Sequence, residues 1–393
     1  MKKILLLGGT YGQIYSIQTA KRLGYYTITC DNRPYNPGHK YADEYYEVSV
    51  LDKDAVLKLA KKLKIDGIVC YALDNESMTA AYVAEKMGLH GQPLKSVEIL
   101  TNKDLFRKFL LDNNFNSPKA SGYVNINDAI EDWKYFNRPI VIKPTDSSSA
   151  RGLSKLYDTS NKEKFAYYIG QALSYSKNGR FIVEEFLELP QLEGDLFSIN
   201  GELKFICLGN EYFKDFSIIG TTFPNNVNKT LYIKMQKEIQ RIINILNMST
   251  SVYSTEIQYS NNDIFFMEFT PRNGGINIPQ TIKYATGIDL AEYTIKAAVG
   301  DNIDDLSMVE PYRCCAFYNI HSNKDGFLKK IEISEKLKNN ILELNIFKNI
   351  GDKVEKFTDL SKYIGNIIME FNSQDEMHYK IKNMEKYIKV IIE

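Results

Sequence analysis

The first ninety or so residues alternate between short apolar runs and segments with helical periodicity, and this alternation limits the possible folds more than any other feature of the chain. The pattern predicts strands at 3–7, 26–30 and 67–70, and helices at 13–23, 53–63 and 77–87. Strands that alternate with helices form a parallel sheet with helices on its faces. Ligands of such sheets bind beyond the carboxyl ends of the strands, where the polar segments 8–12, 31–33 and 74–76 fall.

The glycine turn Gly8-Gly-Thr-Tyr-Gly12 suggests a dinucleotide site, but its spacing is Gly-Gly-x-x-Gly instead of Gly-x-Gly-x-x-Gly. Asp31 alone does not complete that pattern, so a structural turn or a small-substrate pocket is favoured over an NAD-dependent oxidoreductase. His39 lies near the same strand ends. We interpret it as a loop histidine and leave a role in substrate binding open.

Composition excludes several classes of protein. The chain has 393 residues, enough for two or three domains, and its 49 basic residues balance 49 acidic ones. This balance makes nucleic acid an unexpected partner. The apolar run 4–7 ends in glycines, which predicts a first strand instead of a signal peptide, and no run approaches the roughly 20 apolar residues that span a bilayer. The five cysteines lack paired spacing, so we expect buried free thiols and a cytoplasmic protein.

The remaining chain divides into three stretches. After a helix at 105–113, a small module is predicted with strands near 120–124, 139–144, 153–157 and 181–186 and helices at 127–136 and 162–175. The pattern then becomes antiparallel up to Glu268, with turns at 200–201 and 261–262 and a helix at 232–246. Beyond residue 301, short strands mix with an apolar run at 364–371 and a final helix.

Two glutamates in this antiparallel stretch carry the strongest functional signal. If 254–259 and 264–269 form a hairpin, Glu256 lies directly opposite Glu268, while Ile257 and Met267 face the other side. Like charges in that position repel, so a cation between them is expected, and carboxylate oxygens suit Mg²⁺. The turn that follows is expected to direct Arg272 toward the same place.

Several other charged residues indicate a function when they are considered in their order along the chain. Lys143 ends a strand before the serine-rich loop 145–152, whose small side chains let backbone amides approach phosphates. Glu184, Glu185 and Phe186 end another strand and offer acceptors for an adenine amino group beside an apolar ring. Lys103 begins a helix. Each of these features alone is more often a solvated surface group, but the series from Lys103 to Arg272 is specific as a set.

This series resembles the ATP-grasp superfamily, in particular biotin carboxylase, the purine-pathway ligases and the carbamoyl-phosphate-synthase-like group. The resemblance covers the whole chain and implies a mixed α/β and α+β protein. It implies three domains. A Rossmann-like domain at 1–95 precedes an ATP-grasp domain at 96–300, which has a lid at about 117–187, and a small C-terminal domain follows at 301–393. It also implies ATP with Mg²⁺, or Mn²⁺ in its place, and it is compatible with a homodimer.

The resemblance assigns a role to each site residue. Lys103 and Lys143 would contact ATP phosphates, and the lid would include Ser147, Ser148, Ser149 and Gly152. Glu184, Glu185 and Phe186 would hold adenine, the last two through backbone atoms. Glu256 and Glu268 would bind Mg²⁺, and Arg272 would steady the reacting carboxyl or phosphoryl group, with Lys143 beside it.

The chain departs from the family pattern at three places. Thr270 stands where the family has an asparagine at the metal site, and its hydroxyl is a weaker ligand than an amide carbonyl. The lid has less glycine than usual. The acid that binds ribose is expected at Gln191 or Leu192, so either Glu193 after a local shift or Gln191 itself would take that role.

The resemblance implies an ATP-dependent ligase that joins a small-molecule carboxylate to an amine through an acyl phosphate. Purine-pathway ligases, such as phosphoribosylglycinamide synthetase or an enzyme that carboxylates aminoimidazole ribotide, are the first alternative. A phosphoribosyl substrate should meet several cations on the strand-end loops of the first domain, where Arg33 and Lys40 are the obvious candidates. A nucleotide-binding protein without catalysis is the second alternative.

Overall fold

A parallel sheet forms the amino-terminal part of the chain. The structure is a computed structural model that describes residues 1–136, 139–147, 150–158, 161–275 and 277–393. Four parallel strands pair in the order β3-β2-β1-β4. The elements of this part are β1 Lys3–Leu7, α1 Tyr11–Arg22, β2 Tyr26–Cys30, β3 Glu44–Tyr46, α2 Lys53–Leu63, β4 Gly67–Cys70, α3 Glu76–Met87, α4 Leu94–Thr101 and α5 Lys103–Asp112.

A small antiparallel sheet follows, with its strands in the order β5-β8-β6-β7. Phe165 and Ile169 of the second helix pack with Phe181 and Val183 of the last strand in one apolar core. The elements are β5 Ala120–Tyr123, α6 Ile126–Glu131, β6 Ile140–Pro144, β7 Ser154–Leu156, α7 Lys162–Tyr175 and β8 Phe181–Glu185.

The largest sheet has eight strands among the described residues, in the order β13-β12-β9-β10-β11-β14-β18-β16. Separate apolar cores form around the helix that precedes β12 and around the two helices that follow β13. The elements up to residue 298 are β9 Gln191–Ile199, β10 Glu202–Lys214, β11 Ser217–Phe223, α8 Lys229–Ile245, β12 Ser251–Tyr259, β13 Ile264–Thr270, α9 Ile278–Thr286 and α10 Leu290–Ala298.

The carboxyl-terminal strands continue this same sheet across the predicted boundary at residue 300. Phe223 of β11 pairs with Cys315, so the sheet is continuous from one side of that boundary to the other. The remaining elements are β14 Cys314–Ile320, β15 Gly326–Ile333, α11 Glu335–Lys338, β16 Ile341–Ile346, β17 Lys353–Val354, β18 Gly365–Phe371, α12 Gln374–Lys382 and β19 Ile388–Ile392. The division into three domains stays a prediction.

Hydrophobic periodicity predicted most of these elements within one to three residues, including β1, β2, β4, α2 and α7 at their observed bounds. It missed the helices α4, α9 and α10, and it missed β3, whose three residues are half-buried and carry no alternation. The predicted helix at 127–136 divides into α6 and a short 3₁₀ turn, Asp132–Tyr135. All five cysteines are free thiols, and all except the half-buried Cys314 are buried, as expected. Among the described residues, no helix has the length and apolarity to cross a membrane.

Candidate active site

A cavity of about 1350 Å³ brings the predicted site residues together. Its wall contains the start of α1, the ends of β6 and β8, one face of the largest sheet and loops of the carboxyl-terminal part. The predicted residues on this wall are Lys103, Lys143, Ser147, Glu184, Glu185, Phe186, Gln191, Glu193, Glu256, Glu268, Thr270 and Arg272. The predictions for Ser148 and Ser149 fall outside the described residues. Gly152 is described but does not belong to the lining.

Glu256 and Glu268 are paired across β12 and β13, which confirms the predicted register. The next pair is Ile257 with Phe266, because a β-bulge at this point adds one residue to β13. The prediction that Met267 faces away from the glutamates is therefore wrong: Met267 lines the cavity beside Glu268. A bulge re-aims side chains in this way because two residues of one strand oppose one residue of the other.

Two further glutamates extend this pair into an acidic cluster. Glu193 lies beside Glu256 in the register of β9 and β12, and one carboxylate oxygen from each of Glu193, Glu211 and Glu256 lies within 4.8 Å of the others. Burial and the charge of Glu268 raise the pKa of Glu256 to about 7. Burial and neighbouring carboxylates also raise the pKa of Glu193 and of Glu211 well above the ordinary value.

This donor set fits a divalent cation. Hard oxygen ligands at short mutual distances suit Mg²⁺, and the cation would relieve the repulsion that otherwise favours protonation. One oxygen of Glu211, Oε1, is buried without a hydrogen-bond partner. Sequence reasoning missed Glu211. Its signal is a carboxylate that follows a largely apolar run within β10, Phe205-Ile-Cys-Leu-Gly-Asn-Glu211.

Gln191 is held within the cluster by hydrogen bonds. Its Nε2 donates to Glu211 Oε2 at 2.8 Å and to Glu256 Oε2 at 3.1 Å, and its Oε1 accepts from Gln258 Nε2 at 2.9 Å. Glu193 accepts a longer bond, 3.3 Å, from Thr221. The side-chain amide of Gln191 is therefore hydrogen-bonded within the protein. Glu193 accepts a longer internal bond, so it is the more available of the two candidates for binding ribose.

Glu184 joins two cations in the protein interior. Arg107 donates Nε to Glu184 Oε2 at 3.0 Å, and Lys143 donates to the other oxygen. Although burial opposes ionisation, these two cations lower the pKa of Glu184 to about 2. Burial lowers the pKa of Lys143, and the charges of Arg107 and Lys103 act in the same direction. The carboxylate of Glu184 is therefore an anchor for Lys143, while its predicted contact with adenine stays a prediction.

Arg107 was not predicted from the sequence. It belongs to α5, is 2% exposed, and also donates to the carbonyl oxygen of Phe266 at 3.1 Å. The signal was present: Arg107 follows Phe106 and precedes Leu110 by three residues, so it shares the apolar face of an otherwise amphipathic helix.

The backbone amides at the predicted adenine site make hydrogen bonds within the protein. The amide of Glu185 donates to Lys119 O at 2.9 Å, and the amide of Phe186 donates to Pro139 O at 2.6 Å. Both N–H groups are thus used by the fold, and the prediction that these two residues hold adenine through backbone atoms, as acceptors, stays a prediction. The Phe186 ring lines the cavity and lies 3.4 Å from Lys155 Nζ, in a cation–π contact.

The start of the predicted lid is fastened at several points. Lys103 donates Nζ to Ser147 O at 2.8 Å, so this lysine already contacts the loop. Asn75 donates to Asp146 O at 2.8 Å. Gly152 has a φ of +74°, and a Cβ there would lie 2.9 Å from Tyr175, so glycine is required for the backbone itself.

Arg272 lies at the cavity wall and pairs with Asp74 of the first sheet. Its Nε donates to Asp74 Oδ1 at 2.8 Å. Burial disfavours a charged guanidinium, but Asp74 and Glu268 raise the pKa of Arg272 above its ordinary value. The arginine therefore stays cationic beside the acidic cluster. Thr270, on the same wall, is 1% exposed and donates a long bond, 3.4 Å, to Ser254 O.

The glycine turn is filled by protein side chains. A Cβ on Gly9 would lie 2.1 Å from the His39 ring, and Gln13 accepts hydrogen bonds from the Thr10 amide and hydroxyl. His39 contacts Thr29 through Nδ1 at 3.0 Å and Arg33 O through Nε2 at 3.2 Å. His39 is therefore a structural histidine of this turn, and it does not line the cavity.

Comparisons with known proteins agree with this architecture, although no family model matches the chain. The chain is 29% identical over 322 residues to formate-dependent phosphoribosylglycinamide formyltransferase of Prochlorococcus marinus, covering 79% of each protein. Its structure matches an L-amino acid ligase from Bacillus licheniformis with a TM-score of 0.84 at 18% identity, covering 100% of this chain and 99% of the ligase.

A third match is the biotin carboxylase domain of 2-oxoglutarate carboxylase from Hydrogenobacter thermophilus, solved with MgADP, ADP and bicarbonate. Its TM-score is 0.78 at 15% identity, covering 100% of this chain and 91% of that domain. The homologues and structural neighbours of this chain are ATP-grasp ligases. Its fold combines α/β and α+β parts in the ATP-grasp arrangement, as predicted. The three matched proteins have names that indicate different reactions, and each matches over most of its length, so the fold alone does not select the substrates of this protein.

Proposed function

We propose that this protein is an ATP-dependent ligase that activates a small carboxylate as an acyl phosphate and transfers the acyl group to an amine. The observation that carries the proposal is the convergence on one cavity of Lys103, Lys143, the paired Glu256 and Glu268, and Arg272. Two cations suit the phosphates, buried carboxylates suit a metal, and the guanidinium suits a second anion near the metal.

We assign ATP to the part of the cavity between β8 and the acidic cluster. Phe186 would flank the base, Glu193 would accept from the ribose hydroxyls, and Lys103 and Lys143 would neutralise phosphate charge. Mg²⁺ held by Glu256 and Glu268, with Thr270 beside them, would supply charge neutralisation for phosphoryl transfer. The MgADP in the matched biotin carboxylase domain supports this assignment.

The reaction has two steps. A carboxylate oxygen forms a bond to the γ-phosphorus while the bond from that phosphorus to the β–γ bridging oxygen breaks, and ADP leaves with the electron pair. The amine nitrogen then forms a bond to the acyl carbon and loses a proton as inorganic phosphate departs. Arg272, fixed by Asp74, would hold the reacting anion during both steps, and closure over the site would exclude water from the acyl phosphate.

A purine-pathway ligase is the second candidate, because the formate-dependent phosphoribosylglycinamide formyltransferase matches the chain over 79% of both lengths. Arg33 and Lys40, the cations expected to meet a phosphoribosyl group, do not line the cavity, which weighs against it. A non-catalytic nucleotide-binding role is the third.

The test is ADP release by purified protein with MgATP and paired panels of carboxylates and amines, with formate plus glycinamide ribonucleotide as one pair. ADP release that needs both partners, with an amide in the mass spectrum, supports the ligase. Turnover confined to the ribonucleotide pair supports the second candidate. MgATP binding without turnover in any pair supports the third.

A further inference from the structure

We infer that the substrate entering the cavity opposite the ATP site is an unphosphorylated, amine-bearing molecule with an aromatic or large apolar body. The inference rests on the proposed function, because it names the class of substrate for the same site. The relevant wall is here called the substrate arm, defined by Tyr11, Tyr15, Gln280, Glu343, Phe347 and Tyr363, all of which line the cavity.

Aromatic rings dominate the substrate arm. Tyr11 and Phe347 have ring centroids 4.8 Å apart, and Phe347 and Tyr363 have centroids 5.3 Å apart. The three rings join the start of α1 to the chain that follows β16. Tyr11 is 55% exposed, so much of its ring remains open. Aromatic rings in a concave wall bind flat or bulky apolar groups through stacking and edge contacts.

The glycine turn, residues 8–12, holds the start of α1 in place. It fixes the first residue of α1, since Gln13 accepts two bonds from Thr10, the residue before Tyr11. His39 packs against Gly9 on the other side of the turn. A rigid turn therefore presents Tyr11 to the cavity, where a mobile loop would lose entropy on binding a ligand.

Charge argues against a phosphate on the substrate. Among the described lining residues, every lysine and arginine falls between positions 103 and 272, namely Lys103, Lys143, Arg151, Lys155, Lys177 and Arg272. The lining residues from the first 76 positions and from position 277 onward include no cation. Lysine and arginine supply the charge at most phosphate sites. Lys283 donates Nζ to Tyr15 at 3.1 Å, but it also pairs with Asp289 at 2.9 Å and does not line the cavity, so the described substrate arm offers a phosphate no unpaired cation.

The charged residue of the substrate arm is acidic. Glu343 lines the cavity, and its Oε1 accepts a hydrogen bond from Tyr284 at 2.8 Å. That bond fixes the carboxylate without neutralising it. A carboxylate fixed beside aromatic rings attracts an ammonium group, through its own charge and through cation–π contacts with the rings.

The experiment measures binding and turnover separately. Calorimetric titration uses protein saturated with a nonhydrolysable ATP analogue and Mg²⁺. The ligands are phenylalanine, tryptophan, 3-phenylpropionate, glycine, O-phosphoserine and glycinamide ribonucleotide. The variants are Phe347→Ala, Tyr11→Ala and Glu343→Gln, with Phe327→Ala and Glu335→Gln as controls on exposed side chains outside the cavity. Glu343→Gln retains an acceptor for Tyr284.

We expect the aromatic amino acids to bind at least about tenfold more tightly than glycine and the phosphorylated ligands. Either aromatic truncation should abolish that advantage, so Tyr11→Ala serves if Phe347→Ala does not fold. Glu343→Gln should weaken phenylalanine but not 3-phenylpropionate. Tighter binding of a phosphorylated ligand, no binding of any aromatic amine, or equal effects of test and control variants would overturn the inference.

The turnover arm separates this inference from the proposed function. If aromatic amines bind but no pair of substrates causes ADP release, the proposed ligase activity is contradicted. The inferred substrate class is then still supported by the binding. ADP release that requires a phosphorylated substrate, at the same rate in the Phe347→Ala and Glu343→Gln variants, would contradict the inferred substrate class. It would still support an ATP-dependent ligase.

Discussion

Arg272 and Asp74 form an ion pair that links the cavity wall of the largest sheet to the first parallel sheet, across a chain separation of 198 residues. The Arg272 side chain is 12% exposed and that of Asp74 is 20% exposed. An arginine held by a fixed carboxylate points in one direction, which is what a group that orients a reacting anion requires. The pair therefore joins the geometry of the two sheets to the proposed chemistry.

Replacing Asp74 with asparagine should leave the fold intact and reduce kcat/KM by up to about 100-fold, because small displacements of a positioning group carry costs of that size. The measurement is steady-state ADP release with the best substrate pair, beside the thermal unfolding midpoint. Glu85→Gln, on the exposed face of α3, is the matched control. Equal kcat/KM in the two variants would show that the ion pair does not position Arg272.

Glu184→Gln should destabilise the protein by about 3 kcal/mol near neutral pH. The folded-state pKa of about 2, against an ordinary value of 4.5, makes the carboxylate stabilising above pH 4.5, and this contribution is lost as pH falls toward 2. The difference in unfolding free energy between wild type and variant should therefore be larger at about pH 6 than at about pH 3, as measured by urea unfolding.

The control for this prediction is Glu202→Gln, which removes a surface partner of Lys204. Exposed ion pairs contribute only about 0–1 kcal/mol, so this variant should match wild type closely at both pH values. A loss in Glu184→Gln that does not change with pH would mean that packing, and not ionisation, accounts for its effect.

Thr270→Val tests the unusual residue beside the proposed metal. Valine keeps the shape of threonine but lacks the hydroxyl, so we expect the Mg²⁺ concentration for half-maximal activity to rise by about tenfold, a loss typical of altered metal surroundings. Thr286→Val is the control, since that threonine is also buried but donates to Ile282 O at 2.7 Å, away from the cavity. An unchanged Mg²⁺ requirement would show that the Thr270 hydroxyl takes no part in metal binding.

Gly9→Ala should destabilise the protein by roughly 1–3 kcal/mol, because the new methyl group would overlap the His39 ring. Gly170→Ala is the opposite case: it lies within α7 with open space around it, so alanine should stabilise the helix by roughly 0.5–1 kcal/mol. Thermal and urea unfolding of both variants measure these effects. A neutral Gly9→Ala would contradict the packing of His39 in the glycine turn.

The sequence predicted the contacts that depend on a regular period. Glu256 and Glu268 could be paired because side chains alternate along strands and the turn fixes the register. The bulge at Met267 could not be foreseen, since one inserted residue leaves no trace in the pattern. Domain boundaries and the roles of the site residues rest on the family resemblance and stay predictions.

Arg107 and Glu211 escaped prediction for a different reason. Each is a charged residue in a largely apolar stretch of sequence, and its role depends on partners far away in sequence: Glu184 for Arg107, and Gln191 and Glu256 for Glu211. Those contacts follow from strand order and helix placement, which local periodicity does not encode. A buried charge on an apolar face is the signal to search for in similar chains.

The most direct test of the central claim is hydroxamate formation, which detects an activated carboxylate without knowledge of the natural amine. Purified protein is incubated with MgATP, hydroxylamine and pools of metabolite carboxylates, beside Glu268→Gln and the surface control Glu335→Gln. The account predicts hydroxamate from particular pools in wild type and control, and none in Glu268→Gln. Phosphate release that tracks substrate but yields no hydroxamate with any pool, or equal hydroxamate in all three proteins, would contradict carboxylate activation at this site.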